Sequence, residues 1–399
     1  MDRVPTDRPV ILAANHPTAF MEPCILACFM DRPLHFLVRG DFFKKPLFAW
    51  LLRALNMLPI YRLRDGGYKN LKNNYSTFED CYKALAAGKT LMILAEGRTI
   101  HEKRLRPIRK GTARIALGAL EQNPEMDIAI VPVGVNYTYA DRFRSEVMID
   151  FGEPIAAREY FEGYKNNPSK AITTLTEELR ERLEKSIIII KKKEDEDICE
   201  DLFILNRSER PQPHWPVIQD SSEPLTAEKT IAEEVNGMPA GKKNSLRQNL
   251  QHYFNQLQEF RIQDKTVVAR ADRFSQDGLL LLFGLAPFLV GYLFNYLPLR
   301  SARLIADLKV KSVEFHSSVM VAVGIGTYLI YYVIWLAVAL ILTSWKLLLF
   351  IISFPFLGLW ALYYLEVFQR FRQSWRWRTL KSQVQSKLAT LRGELAIDN

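Results

Sequence analysis

Three long stretches without a single charge constrain this chain more than any other feature it has. Gly278 to Leu297, Ser317 to Trp345 and Leu347 to Leu365 contain no Asp, Glu, Lys or Arg. At a rise of ~1.5 Å per residue, each is about long enough to cross the ~30 Å hydrocarbon layer of a bilayer. The other reading, three buried helices of a soluble core, requires helices that stay apolar all round over that length, which soluble proteins seldom contain. Residues 276–399 are therefore expected as membrane-anchoring helices, with a basic tail of Arg370, Arg372, Arg376, Arg378 and Lys381.

Basic residues flanking membrane segments tend to remain on the cytoplasmic side. Arg270 and Arg273 precede the first stretch, Arg300, Arg303, Lys309 and Lys311 separate it from the second, and only Lys346 lies between the second and third. Three simple spans would export one of these clusters. The pattern is met if Ser317 to Trp345 and Leu347 to Leu365 form a tight transmembrane hairpin while Gly278 to Leu297, broken by Pro287, dips in and returns. Three simple spans is the alternative. Residues 1–195 are expected on the cytoplasmic face.

A chain of 399 residues exceeds one ordinary compact core, so two or three structural units are expected. Residues 1–195 alternate short apolar runs with amphipathic stretches, the pattern of an α/β domain. Val10 to Ala14, Leu34 to Val38, Leu58 to Tyr61, Thr90 to Ala95, Ile128 to Val135 and Val147 to Phe151 read as strands. Pro23 to Met30, Phe42 to Asn56, Tyr68 to Ala87, Thr112 to Glu121 and Lys170 to Lys185 read as helices. Residues 196–275 read as a charged linker and helical connector. Within it Asn206 to Pro224 carries four prolines and is expected to be irregular, and a polar helix is expected over Leu246 to Arg261.

The net charge is +9, and much of the excess sits in the basic tail and in Arg98 to Arg114, which holds seven basic residues. No nucleic-acid module with interleaved aromatics appears, so anionic lipid or phosphate is the expected partner and nucleic acid is not. The four cysteines, Cys24, Cys28, Cys81 and Cys199, form no CxxC pair and have no histidine at metal spacing, so they read as reduced thiols and no metal site is expected. Met1 to Pro9 holds four charges and no apolar run, so no cleavable signal peptide is expected.

Two constellations carry chemistry. Asn15-His16-Pro17-Thr18-Ala19-Phe20-Met21-Glu22-Pro23 follows directly on the first strand, and strand ends are where α/β sheets place reactive groups. Pro23 suits the start of a helix, which sets Glu22 one loop from His16. There the carboxylate can hold one ring nitrogen and leave the other as a base. That is a triad lacking a protein nucleophile, and a surface histidine beside a helix cap is the bland reading. The second is Ala95-Glu96-Gly97-Arg98-Thr99, at the end of the fourth strand. Gly97 permits a sharp turn and Arg98 offers a planar fork suited to phosphate; the alternative is a solvated basic loop. Tyr61-Arg62 and Val131-Pro132-Val133-Gly134 lie at or within two further strands.

The order of these motifs over Pro9 to Ile155 resembles the glycerophospholipid acyltransferase superfamily. His16 matches the family's histidine. Its usual aspartate, with four residues between, is replaced here by Glu22 with five residues between, a spacing found in one branch of the family. Arg62 matches the arginine of the second motif, Glu96 and Gly97 match the third with Arg98 one place early, and Pro132 matches the fourth. The resemblance implies a mixed sheet flanked by helices. It implies an O-acyltransferase in which His16, steered by Glu22, deprotonates the hydroxyl of glycerol-3-phosphate or 1-acylglycerol-3-phosphate for attack on an acyl thioester. Acyl-CoA or acyl carrier protein would be the co-substrate, with no further cofactor. Arg62, Glu96, Gly97 and Arg98 would form the acceptor-phosphate site. A lipid hydrolase is the nearest enzymatic rival, although no GxSxG elbow occurs. A membrane scaffold that has lost catalysis is the other.

Overall fold

The computed structural model describes residues 2–60, 68–142, 144–210, 218–270 and 272–395, with the backbone alone for 68–76. The chain divides into two compact units. The first comprises residues 1–189 together with Ser312–Ser318, and the second comprises 190–311 and 319–399.

In the first unit the strands are β1 (Val10–Ala14), β2 (Leu34–Arg39), β3 (Met57–Ile60), β4 (Thr90–Leu94), β5 (Ala129–Tyr137), β6 (Val147–Phe151) and the short β7 (Ile155–Ala156). The sheet order is β3-β2-β4-β1-β5-β6, with β7 also pairing β5. β1 to β5 run parallel; β6 and β7 are antiparallel to β5. The sheet is thus mixed, as the motif order implied. All five residues of β1 are buried, because a central parallel strand is covered on both faces. Its side chains alternate accordingly. Ile11 and Ala13 join one core with Leu91, Ile93 and Ile130, while Val10, Leu12 and Ala14 join another with Met92, Val131 and Val133.

The helices are α1 (Met21–Phe29), α2 (Pro46–Ala54), α3 (Tyr68–Ala86), α4 (Gly111–Gln122), α5 (Phe161–Asn166) and α6 (Pro168–Glu184). Cys81 and Leu85 of α3, Ile115 and Leu120 of α4, and Leu175 and Leu179 of α6 cover one face of the sheet, and Leu26 of α1 packs on the other. Each such buried aliphatic side chain contributes about 1.5–3 kcal/mol. The single helix expected over Phe42 to Asn56 is two pieces, a 3-10 turn over Gly40–Lys44 and then α2. Pro46 accounts for the division: it disfavours helical backbone at Lys45, and itself suits the first position of a new helix.

The second unit is helical: α7 (Glu196–Glu209), α8 (Glu223–Gly237), α9 (Ala240–Glu259), α10 (Asp264–Ala269), α11 (Phe274–Phe283), α12 (Leu285–Lys309), α13 (Val313–Ile341), α14 (Trp345–Thr379) and α15 (Ser382–Glu394). Of α13, only the residues after Ser318 belong to this unit. Of the stretch expected as irregular, residues 210 and 218–222 lie outside any helix, whereas its two ends are helical: α7 reaches Glu209, and Pro224 sits in the first turn of α8, where its missing N–H costs nothing. Nor are the charges of 196–275 simply solvated. Arg207 grips the buried Glu228 through two hydrogen bonds of 2.7 and 2.8 Å, Lys243 pairs with buried Asp195 at 2.6 Å, and Arg392 pairs with buried Asp264 at 3.0 Å. Charge patterning cannot reveal such pairing, because partners lie far apart along the chain.

Among the described residues, α13 and α14 are long and apolar enough to cross a membrane. α11 and α12 meet the same test together but bend by 66° at their junction, a geometry that a broken span and a re-entrant loop share. The break falls at Gly284. Pro287 cannot donate to the carbonyl four residues earlier, that of Phe283, where α11 ends. Within this unit Asn295 of α12 bonds the carbonyls of Gly291 and Phe354 at 2.9 and 3.1 Å and accepts from the Tyr328 hydroxyl at 3.1 Å, so a polar side chain in an apolar segment is fully engaged.

Candidate active site

Because β1, β2, β3 and β4 are parallel, the residues following each emerge at one edge of the sheet. Asn15 and His16 follow β1; Ala95, Glu96 and Gly97 follow β4. Asn15 extends the pairing of β1 with β5 by one side chain, donating from Nδ2 to the Val135 carbonyl at 2.9 Å and accepting the Val135 N–H at 2.7 Å. That two-point clamp fixes where the chain leaves the sheet, and therefore where His16 begins.

His16 is buried, and its two ring nitrogens face different groups. Nε2 lies 2.8 Å from the hydroxyl of Thr99, and Nδ1 lies 4.0 Å from Oε2 of Glu22. The latter is contact between neighbours and is longer than a hydrogen bond. Glu22 is completely buried; its Oε1 accepts the Thr18 N–H at 2.5 Å. Burial, opposed by hydrogen bonds from Thr18 and aided by the charge of Glu96, raises its carboxyl to about 8. The phenol of Tyr137, also buried beside Thr18, is pushed upward by desolvation first and then by the charge of Glu22.

Glu96 ties the two sequence constellations together. Oε2 accepts the His16 N–H at 3.2 Å and Oε1 accepts the Arg106 N–H at 3.2 Å, with both carboxylate oxygens engaged by backbone. Burial raises this carboxyl too, partly offset by those two amides. The loop is laced further by the Ile100 N–H on the His16 carbonyl at 3.3 Å and the Arg109 N–H on the Ala95 carbonyl at 2.8 Å. Gly97 has φ +65°, a left-handed conformation, and a Cβ there would stand 3.1 Å from Cγ of Arg109.

The first two turns of α13 complete this region. The Ala19 N–H donates to the Glu314 carbonyl at 3.1 Å, the Phe20 N–H to Oγ of Ser318 at 3.4 Å, and the His101 N–H to Oε1 of Glu314 at 3.4 Å. Ser317 donates its hydroxyl to the Ala140 carbonyl.

Of the residues singled out from sequence, His16, Glu22, Glu96 and Gly97 thus converge at one sheet edge. Glu96 faces backbone amides there and holds the two loops together. Arg98 is exposed and makes no hydrogen bond or ion pair among the described residues. A cleft beside Asn15 and Pro17 is lined instead by Lys103 and Arg104 of the same basic loop. Arg62 lies outside the described residues. Sequence reasoning assigned no role to Asn15, Thr99 or the Glu314 turn; the first two stood inside the quoted motifs, whereas Glu314 is some 300 positions from His16 and left no local signal.

Fold and site together define an α/β domain in which a buried imidazole stands between a buried carboxyl group and a hydroxyl. Residues 1–136 match the family model described as Acyltransferase. Glycerol-3-phosphate O-acyltransferase 2 of Saccharomyces cerevisiae is 32% identical over 117 residues, 29% of this chain and 16% of that protein. Glycerol-3-phosphate O-acyltransferase 1 of the same yeast is 32% identical over 87 residues, 22% of this chain and 12% of that protein. The matched region is therefore a small part of each relative. The solved 1-acyl-sn-glycerophosphate (LPA) acyltransferase PlsC from Thermotoga maritima is 20% identical, with a TM-score of 0.29, covering 45% of this chain and 69% of that one.

Proposed function

We propose that this protein is a membrane-bound O-acyltransferase that moves a fatty acyl group from acyl-CoA or acyl carrier protein to the hydroxyl of glycerol-3-phosphate or 1-acylglycerol-3-phosphate, with its catalytic unit on the cytoplasmic face. The carrying observation is the 2.8 Å contact of a hydroxyl, that of Thr99, with Nε2 of His16 while Nδ1 faces Glu22. An acceptor hydroxyl taking the place of Thr99 would meet a ring nitrogen able to receive its proton. Its oxygen then attacks the thioester carbonyl carbon, the carbon–sulfur bond breaks, and the proton held on His16 passes to the leaving thiolate. Glu22 steadies the imidazolium in this scheme, and Glu96 and Asn15 hold the loop that carries the ring. Arg62 and Arg98 are the proposed partners of the acceptor phosphate, with Gly97 shaping the turn. No cofactor beyond the acyl donor is required.

The test is turnover by the purified full chain in lipid vesicles with labelled acyl-CoA and, separately, glycerol-3-phosphate and 1-acylglycerol-3-phosphate. His16→Ala and His16→Gln should each lower transfer by roughly 10² to 10⁴ while the protein stays folded and membrane-bound. Near-normal turnover by either variant would exclude the scheme. Free fatty acid as the main product would instead indicate a hydrolase, and absence of turnover in the unaltered protein a scaffold.

A further inference from the structure

Helix α2 is amphipathic the wrong way round for a soluble domain. Ala49 is its one buried residue, while Leu47 is 72% exposed and Trp50 67% exposed. Phe48, Leu51 and Leu55 are exposed as well. At about 100° per residue, Leu47, Leu51 and Leu55 fall along one stripe with Phe48 and Trp50 on either side, and Ala49 points to the opposite side. The helix therefore seats on a methyl group and turns its bulky apolar arc outward. A contiguous apolar arc of this kind is rare on a soluble protein and marks a surface that something covers.

Two observations name the cover. Lys44 and Lys45, both exposed, stand at the start of the helix, and Arg53, also exposed, stands in its last turn. Basic residues bordering an outward apolar arc suit anionic headgroups above an acyl layer, a pairing that neither a second copy of this basic chain nor a neutral protein surface provides. The second observation is position. The turn Gly40–Lys44 continues from the end of β2, at the sheet edge where His16 follows β1. At that same edge Ala19 and Phe20 are bonded to Glu314 and Ser318, in the first two turns of a helix long and apolar enough to span. The edge carrying the start of α2 is thus held where a membrane segment begins.

We propose that α2 is an interfacial helix that lies in the bilayer surface with Leu47, Phe48, Trp50 and Leu51 immersed and Lys44, Lys45 and Arg53 at the headgroups. The inference stands apart from the acyl-transfer reading, since it concerns only what the helix touches. It would give the first unit a second hold on the membrane besides the spans.

The experiment uses the full chain with Cys24→Ser and Cys28→Ser, reconstituted in phosphatidylcholine vesicles with and without phosphatidylserine. A polarity-sensitive fluorophore is placed on Leu47→Cys and, as a water-facing control, on Glu125→Cys, and lipids carrying a nitroxide at the headgroup-proximal chain serve as quencher. Quenching at position 47 is expected to exceed that at 125 by about threefold or more, with greater quenching when phosphatidylserine is present. Equal quenching at the two positions would overturn the proposal. So would a blue-shifted but unquenched probe at 47 whose emission reddens as the protein is diluted with lipid, because that result reports a second copy of the chain over α2. Leu51→Cys gives an independent reading should Leu47→Cys disturb the helix.

Discussion

The hydroxyl of Thr99 stands 2.8 Å from Nε2 of His16, the nitrogen that the proposed mechanism requires as base. If Thr99 holds the place of the acceptor hydroxyl, removing it should leave catalysis largely intact. Thr99→Ala is expected to keep turnover within about tenfold, far milder than the loss in His16→Ala. A loss by Thr99→Ala equal to that of His16→Ala, with an acylated Thr99 found by mass spectrometry, would make Thr99 a nucleophile instead.

Glu22 makes activity and stability depend on pH in opposite directions. Below about 8 its buried carboxyl keeps a proton. In that form it carries no negative charge to steady the imidazolium that His16 becomes when it takes the acceptor's proton. Turnover should therefore rise as pH increases through about 8. Stability should fall over the same direction: the folded carboxyl titrates above its ordinary value of 4.5, so between 4.5 and about 8 the native state holds a proton that the unfolded chain has released. Glu22→Gln retains an oxygen for the Thr18 N–H and cannot ionise. It should lower turnover by on the order of 10²-fold, abolish the alkaline rise, and melt at a higher temperature than the parent at pH above 8. A parent-like pH profile in Glu22→Gln would remove Glu22 from the mechanism.

Arg98 is exposed, so Arg98→Ala should fold normally and raise the acceptor KM about tenfold or more with little change in kcat, as expected for loss of a charge-assisted phosphate contact. Should Lys103→Ala and Arg104→Ala raise KM instead, the phosphate belongs to the cleft that those two line.

Glu96→Ala strips the acceptor from two backbone amides, those of His16 and Arg106. A cost of about 1–3 kcal/mol for each amide left buried is expected in denaturant unfolding, with smaller loss in Glu96→Gln, which keeps one carbonyl oxygen. Equal stability of all three proteins would show that the amides find other partners.

Gly97→Ala should destabilise by roughly 1–2 kcal/mol, because its φ of +65° suits glycine and the new methyl would press on the Arg109 side chain. Gly134→Ala should be worse, since a Cβ there would lie 2.0 Å from the Ser186 carbonyl oxygen, a backbone atom. Thermal melting of both variants checks the order.

Much of the first unit is legible in sequence because its determinants are local. The runs around Ile11, Leu91 and Val131 are apolar on both faces, as buried parallel strands must be, and each ends where the period changes or a proline or glycine intervenes. His16 and Glu22 could be paired from their spacing along one loop. The role of Glu96 could not, since a carboxylate aimed at backbone amides has the same sequence appearance as one aimed at a ligand. The charged helices after residue 190 misread as solvated for a similar reason. Arg207 and Glu228 are 21 positions apart, and only the packing of α7 on α8 makes them a buried pair. α2 was legible as helix but not as an outward-facing one, because an apolar arc carries no mark of whether protein or lipid receives it.

The bonds from Ala19, Phe20 and His101 to the first two turns of α13 set a timetable for biosynthesis. A ribosome has to add some 300 residues after His16 before the loop beside it meets its last partners. Nascent chains therefore lack this part of the candidate site until α13 has begun. Excising the α/β portion as a stand-alone fragment would discard seven residues, Ser312–Ser318, that belong to it.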